Sequence, residues 1–252
     1  MKRFKRDNLV VEIYEDKVRL GQAAADLAQI YLSEAIRQRD EAVIILATGA
    51  SQFEFLNALS KKNIAWNKVI AFHLDEYIGI SDTHPASFRR YLRERFIDKV
   101  GIKTSFFIKG DCNDAQLECQ RLETTFNKYV VDIAFTGIGE NGHLAFNDPP
   151  AQFDDRVKFK VVDLHEISRK QQLGEGWFKT LADVPKQAIS MTIPAILDSK
   201  SIICCVPERR KVEAVKNTLT GPISPDCPAS ILRQHEQCTL FLDFDSASLL
   251  DT

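Results

Sequence analysis

Ala42-Val43-Ile44-Ile45-Leu46-Ala47-Thr48-Gly49-Ala50-Ser51 is an apolar run of strand length that breaks at a glycine-containing turn, and a helical pattern follows from about Gln52. Lys68 to Leu74 is then β-rich again. Two short apolar strands joined through a helix make the unit of a parallel sheet, because parallel neighbours need a crossover of about a dozen residues or more. Such strands are apolar throughout, without strict alternation, when both faces of the sheet are covered.

The same alternation extends in both directions. Upstream, Leu20, Ala23, Ala24, Leu27, Ala28, Tyr31 and Ala35 recur at three and four between Lys17 and Arg37, the period of a helix with one buried face. Downstream, strands are expected at Ser105 to Ile108, Val131 to Thr136, Val157 to Val162, Ala188 to Ile193, Ser201 to Val206 and Cys238 to Phe244. Helices are expected at Pro85 to Lys99, Asp114 to Tyr129 and Glu208 to Leu219. The expected class is α/β: a mostly parallel sheet flanked by helices on both faces, a Rossmann-like three-layer sandwich. With no repeat, low-complexity tract or linker, residues 1–252 read as one domain.

Bulk properties narrow the partners. The 252 residues are 44% hydrophobic, enough for a folded core. Thirty-three Lys and Arg against 35 Asp and Glu leave a formal charge of −2, so no global field recruits nucleic acid or an anionic membrane. Apolar runs such as Val43 to Ala47 and Ser201 to Val206 fall far short of the ~20 residues that span a bilayer. The basic start, Lys2, Arg3, Lys5 and Arg6, leads into a short strand-like segment and not into the apolar stretch of a secretory signal, so a cytoplasmic protein is expected. Cys112, Cys119, Cys204, Cys205, Cys227 and Cys238 form no C-x-x-C pair, and no histidine stands at zinc-ligand spacing. Free structural thiols and no bound metal are expected, with Cys204 and Cys205 on opposite faces of one strand.

Ligands of open parallel sheets bind beyond the carboxyl ends of the strands, which directs attention to four segments. Thr48-Gly49-Ala50-Ser51 offers backbone N–H groups at a helix start, two hydroxyls and a permissive glycine, an anion cradle suited to phosphate; an ordinary capped turn with Ser51 as N-cap is the alternative. His73-Leu74-Asp75-Glu76-Tyr77 places two acids at a strand tip among apolar neighbours, where partial burial would raise a carboxylate toward general-base range, and only one of them should face a ligand.

Gly137-Ile138-Gly139-Glu140-Asn141-Gly142-His143 contains the letters of a dinucleotide fingerprint, but Asn147-Asp148-Pro149-Pro150 stops any helix that the fingerprint needs next. What remains is a glycine-rich loop presenting His143, with Asp148 near enough to orient its ring. The last segment is basic. Arg169 lies in Ser168-Arg169-Lys170-Gln171-Gln172, and Lys211 closes Pro207-Glu208-Arg209-Arg210-Lys211 in the first turn of a helix, where an ammonium could meet a bound phosphate; Arg209 and Arg210 read as solvated.

Leu46-Ala47-Thr48-Gly49, Leu74-Asp75-Glu76-Tyr77, Gly137 to Pro149 and Ser224-Pro225-Asp226-Cys227-Pro228-Ala229-Ser230 together resemble the glucosamine-6-phosphate deaminase (isomerase) family, over about Val43 to Leu240. The resemblance implies aldose to ketose isomerisation at C1 and C2 with loss of the 2-amino group as ammonia, giving fructose 6-phosphate without metal or organic cofactor. It implies Asp75 as the base at C2, His143 as the ring-opening acid/base and Asp148 as its support, where family members usually carry Glu. Asn141 stands where some members carry an aspartate that completes a carboxylate-histidine-carboxylate set. Thr48, Gly49, Ala50, Ser51, Arg169 and Lys211 match phosphate-binding positions, with Glu76, Gly137 and Gly139 expected at the substrate. The partner is then a small sugar phosphate, and a homo-oligomer is compatible with the sequence. A galactosamine-6-phosphate isomerase, a 6-phosphogluconolactonase and a non-catalytic sugar-phosphate sensor are the competing readings; His84-Pro85-Ala86-Ser87-Phe88 after the Asp75 segment looks more like the deaminase side.

Overall fold

The computed structural model describes residues 1–250. Eleven strands and eight α-helices are found there, and the larger sheet takes eight of the strands. In chain order these eight are β1 (Lys2–Arg6), β2 (Leu9–Tyr14), β3 (Ala42–Leu46), β4 (Val69–His73), β6 (Thr104–Phe106), β7 (Ile133–Thr136), β10 (Ser201–Val206) and β11 (Cys238–Asp243). A second, three-stranded antiparallel sheet holds β5 (Asp75–Tyr77), β8 (Phe159–Asp163) and β9 (Gln187–Met191). The helices are α1 (Lys17–Arg39), α2 (Phe53–Leu59), α3 (Phe88–Leu92), α4 (Asp98–Val100), α5 (Ala115–Phe126), α6 (Glu166–Gly174), α7 (Ile193–Leu197) and α8 (Val212–Thr220).

The large sheet runs β1-β2-β11-β10-β7-β3-β4-β6, parallel throughout except for the β1–β2 hairpin at its edge. From β3 the chain moves toward one edge through β4 and β6. From β7 it moves toward the other through β10 and β11. The direction therefore reverses between β3 and β7, and loops leaving the two strands on opposite sides open a crevice there. The fold places the anion-cradle segment after β3 and the glycine-rich loop after β7, one on each side of this crevice.

Strand alternation sorts the apolar side chains into two layers. Val43 and Ile45 pack with Leu122 and Phe126 of α5, whereas Ile44 and Leu46 pack with Leu20, Ala24, Ala28 and Leu32 of α1. Cys204 and Cys205 divide between the same layers, as the period-two argument requires. Each leucine or isoleucine so buried contributes roughly 1.5–3 kcal/mol. Helix α1 is bounded by local chemistry: the Asp16 carboxylate accepts from the Arg19 N–H at 2.8 Å, Arg37 and Arg39 occupy the last turn, and Asp40 leaves in the left-handed region at φ 61°. Among the described residues no helix is long and apolar enough to cross a membrane.

Several sequence expectations are corrected. The helix expected over Pro85 to Lys99 begins only at Phe88, after the Ser87 hydroxyl caps it, and passes through a π-helical turn at Arg93–Ile97. Strands expected at Val157 to Val162 and Ala188 to Ile193 lie in the antiparallel sheet, not the parallel one, where β5 joins them. Ser51 does not cap α2: a 3-10 turn at Ala50–Gln52 intervenes, and no side chain closes the helix start. Helix α6 was not expected, because its buried residues are Ser168 and Gln172, so it has no apolar stripe to betray it.

Candidate active site

A cavity of about 60 Å³ lies at the carboxyl ends of β3, β4, β7 and β10. Of the residues singled out from sequence, Thr48, Gly49, Ser51, Asp75, Gly137, Gly139, His143 and Lys211 line it. Ala50, Glu76, Asn141, Asp148 and Arg169 do not, and the reason differs for each.

The cradle turns at Gly49, whose φ of 93° is in the region that favours glycine. The Tyr91 hydroxyl donates to the Gly49 carbonyl at 2.9 Å, and the Gln52 amide donates to the Cys205 carbonyl at 3.3 Å, so neighbouring elements hold the turn in place. Ala50 contributes its backbone N–H, which donates to the Glu175 carboxylate at 3.4 Å.

Asp75 and Glu76 are successive residues of β5, so their side chains leave on opposite sides. Glu76 turns inward. Its carboxylate accepts from the Ser87 hydroxyl at 2.8 Å and from the backbone N–H groups of Phe88 at 3.1 Å and Arg89 at 3.0 Å, and it pairs with the Arg89 guanidinium at 3.4 Å. Glu76, expected at the substrate, thus lies outside the cavity lining and anchors the start of α3. Asp75 faces the cavity, and its carboxylate makes no hydrogen bond among the described residues. Burial, reinforced by the nearby Glu76 charge, pushes its pKa up to about 8. His73, just upstream, accepts from the Ile108 N–H at 2.8 Å, and burial pushes its pKa down to about 3, which makes it a neutral structural ring.

His143 lies flat against Gly139: a Cβ at that glycine would fall 2.2 Å from the His143 Nε2, so only glycine leaves the ring room. His143 Nδ1 lies 3.1 Å from Asp148 Oδ1 and 3.0 Å from Ser168 Oγ. Ser168 also donates to Asp148 Oδ1, and the Asn141 amide donates to the same oxygen at 2.8 Å while its carbonyl accepts from the His143 N–H at 3.2 Å. Burial alone would raise the Asp148 pKa, but the bond and charge of His143 and the bonds from Ser168 and Asn141 outweigh it and hold the group well below the usual carboxylate range. An ionised Asp148 keeps a proton on Nδ1 and leaves Nε2 as the nitrogen that can exchange a proton with a ligand. Asp148 and Asn141 therefore act through His143.

Lys211 is 3% exposed at the start of α8, and it forms no ion pair among the described residues. Burial pushes its pKa down to about 8, against the charges of Glu175 and Glu140 that favour the ammonium. Arg169, expected at the phosphate, lies outside the cavity lining: its Nη2 donates to the carbonyls of Leu181 at 2.6 Å and Val184 at 2.9 Å and so ties down the segment after α6. Sequence reasoning missed Gln171, Gln172 and Glu175, which α6 and the residue after it bring to the cavity wall, and Ser168 behind His143. Among the described residues no three His, Cys, Asp or Glu side chains are grouped to hold a metal ion.

Residues 15–241 match the family described as glucosamine-6-phosphate isomerases/6-phosphogluconolactonase. A glucosamine-6-phosphate deaminase of Exiguobacterium sibiricum is 36% identical over 222 residues, which cover 88% of this chain and 86% of the relative. One from Listeria monocytogenes is 37% identical over 205 residues, covering 81% and 86%. Among solved structures, one described as a monomeric glucosamine-6-phosphate deaminase superposes with a TM-score of 0.87 at 33% identity, covering 95% of this chain and 99% of that one. A 6-phosphogluconolactonase from Shewanella baltica reaches a TM-score of 0.78 over 92% and 97% at 18% identity, a likeness of fold alone.

Proposed function

The chain belongs to the family of glucosamine-6-phosphate isomerases and 6-phosphogluconolactonases, and on that premise we propose that it converts glucosamine 6-phosphate and water to fructose 6-phosphate and ammonia. The observation that carries this reading is the presence in one cavity wall of Asp75, a carboxylate with a pKa near 8, and of His143, whose ring Asp148 holds from behind. A lactonase needs only to activate water. A base without hydrogen-bond partners, tuned close to neutrality, suits removal of a proton from carbon.

The phosphate binds the N–H groups and hydroxyls of Thr48 to Ser51, with the Lys211 ammonium beside them. His143 Nε2 delivers a proton to the ring oxygen and takes one from the C1 hydroxyl, which opens the pyranose to the aldehyde. Asp75 then removes the C2 proton while His143 Nε2 hands the proton it took back to the C1 oxygen, giving an enolamine. Asp75 delivers its proton to C1, giving the protonated imine of the ketose, whose nitrogen returns a proton to His143. Water adds at C2 and ammonia leaves. Atoms balance with water as the only co-reactant, so the reading calls for no metal or organic cofactor. It places the enzyme in the cytoplasm with a small sugar phosphate as its partner.

One coupled assay tests the reading: purified protein with glucosamine 6-phosphate, galactosamine 6-phosphate or 6-phosphogluconolactone, following ammonia and acid. Ammonia from glucosamine 6-phosphate is expected. Acid from the lactone alone would overturn the reading.

A further inference from the structure

Gly174-Glu175-Gly176 brings an acid to the one part of the cavity suited to anions. The Glu175 side chain is 4% exposed. Its Oε2 accepts from the Ala50 N–H of the cradle at 3.4 Å and from Trp177 Nε1 at 3.1 Å, and its Oε1 accepts from the Gln171 amide at 3.1 Å. The same Oε2 would lie 3.5 Å from a Cβ built on Gly49, and Lys211, buried and unpaired among the described residues, lines the same cavity. A carboxylate in that place makes the interactions that a phosphate oxygen would make.

A phosphate entering the cradle meets a like charge already bonded to the Ala50 N–H, so one of the two anions must give way. Glu175 has room to leave: it sits in no strand, Gly176 follows it at φ 82°, nothing lies within 4 Å of where a Cβ would stand on Gly174 or Gly176, and Arg210 Nη2, 4.0 Å from its Oε1, is a second partner for the carboxylate.

We propose that Glu175 is an internal anion that occupies the phosphate cradle in the empty protein and is displaced by the phosphate of the ligand, so that it sets the affinity for phosphorylated substrates. The inference rests on the reading of the cradle as a phosphate site given above. A dianion with three acceptor oxygens outcompetes a single carboxylate for the Ala50 N–H and can reach the other cradle N–H groups and Lys211 as well. Its apparent affinity is still reduced by the fraction of molecules in which Glu175 holds the site.

Calorimetric titration of inorganic phosphate into the wild-type protein and Glu175→Gln tests this without turnover. The variant loses the competing charge and should bind phosphate about tenfold more tightly, a difference of ~1.4 kcal/mol. With glucosamine 6-phosphate its KM should fall while kcat stays close to wild type, a split that mere loosening of the segment would not give. In the wild type, phosphate should also change Trp177 fluorescence, because the indole N–H loses its carboxylate partner; this readout serves if Glu175→Gln does not fold. Equal or weaker phosphate binding by the variant, or a wild-type titration that leaves Trp177 unchanged, overturns the proposal. Tighter phosphate binding by Glu175→Gln in a protein that releases no ammonia would remove the deaminase reading and leave this one standing.

Discussion

Replacing Asp75 by Asn should stabilise the protein and nearly abolish turnover, and the two effects have one cause. The residue is 7% exposed, and its carboxyl makes no hydrogen bond among the described residues and titrates near pH 8 in the folded state against an ordinary value of 3.8. In acid below both values folded and unfolded chains hold the proton alike, and the residue is neutral in its effect. Between them the unfolded chain ionises while the folded one does not, so stability declines as pH rises; above about pH 8 the folded carboxylate is ionised and the full penalty is present. The span is roughly four pH units at ~1.4 kcal/mol each, an upper bound near 5–6 kcal/mol. Water reaching the cavity reduces it, and a gain of about 2–4 kcal/mol for the amide is the working figure. For a chain of this size that is roughly 4–16 °C in Tm. Urea unfolding of both proteins at about pH 5 and about pH 9 measures it, with the larger gain expected at the higher pH. Ammonia release by the same variant should fall ~10²-fold or more. A variant that is less stable than wild type at the higher pH, or equally active, would refute the placing of an unpaired, buried base at this position.

Because Asp75 must be ionised and Lys211 protonated, and both titrate near about 8, kcat/KM should follow a narrow bell centred near pH 8. Lys211→Arg, which stays charged, should keep the rising limb and lose the falling one; a wild-type profile that is flat across this region would contradict both assignments. Ser168→Ala removes the hydroxyl that touches both His143 and Asp148, and kcat should fall roughly tenfold with little change in KM, in keeping with a lost hydrogen bond to a charged group of ~1.5–3 kcal/mol. Gly139→Ala forces a Cβ to within 2.2 Å of His143 Nε2. It should cost ~10²-fold in kcat through a displaced ring while near-ultraviolet circular dichroism reports an intact fold.

Much of the architecture was legible because parallel strands covered on both faces leave short apolar runs, and Ser201–Val206 matches its expected bounds at both ends. Asp75, His143, Lys211 and the cradle could be expected to converge on one cavity because each follows such a strand. What escaped is polar on its buried side. Helix α6 turns Ser168 and Gln172 toward the site, so the feature that makes it functional removes the periodicity that would have revealed it. That only one of Asp75 and Glu76 should face a ligand was legible from strand alternation, whereas the resemblance put Glu76 at the substrate and nothing local shows that Ser87 and the start of α3 take its carboxylate. Arg169 was assigned by resemblance of a loosely matching segment, and nothing local in the sequence shows that the Leu181 and Val184 carbonyls take its guanidinium. The charges that favour the Lys211 ammonium against its burial come from Glu175 and Glu140, both distant along the chain.

The central claim is that one carboxylate carries a proton between two carbons of the sugar. Turnover of glucosamine 6-phosphate in D2O, followed by NMR of the fructose 6-phosphate formed, tests this directly. Carbon-bound deuterium at C1 is predicted, at less than one atom per molecule, because part of the proton held by Asp75 returns before it exchanges with solvent. Product free of solvent deuterium, together with complete retention of label from substrate deuterated at C2, would contradict the account, in which the proton rests on Asp75 long enough to exchange in part.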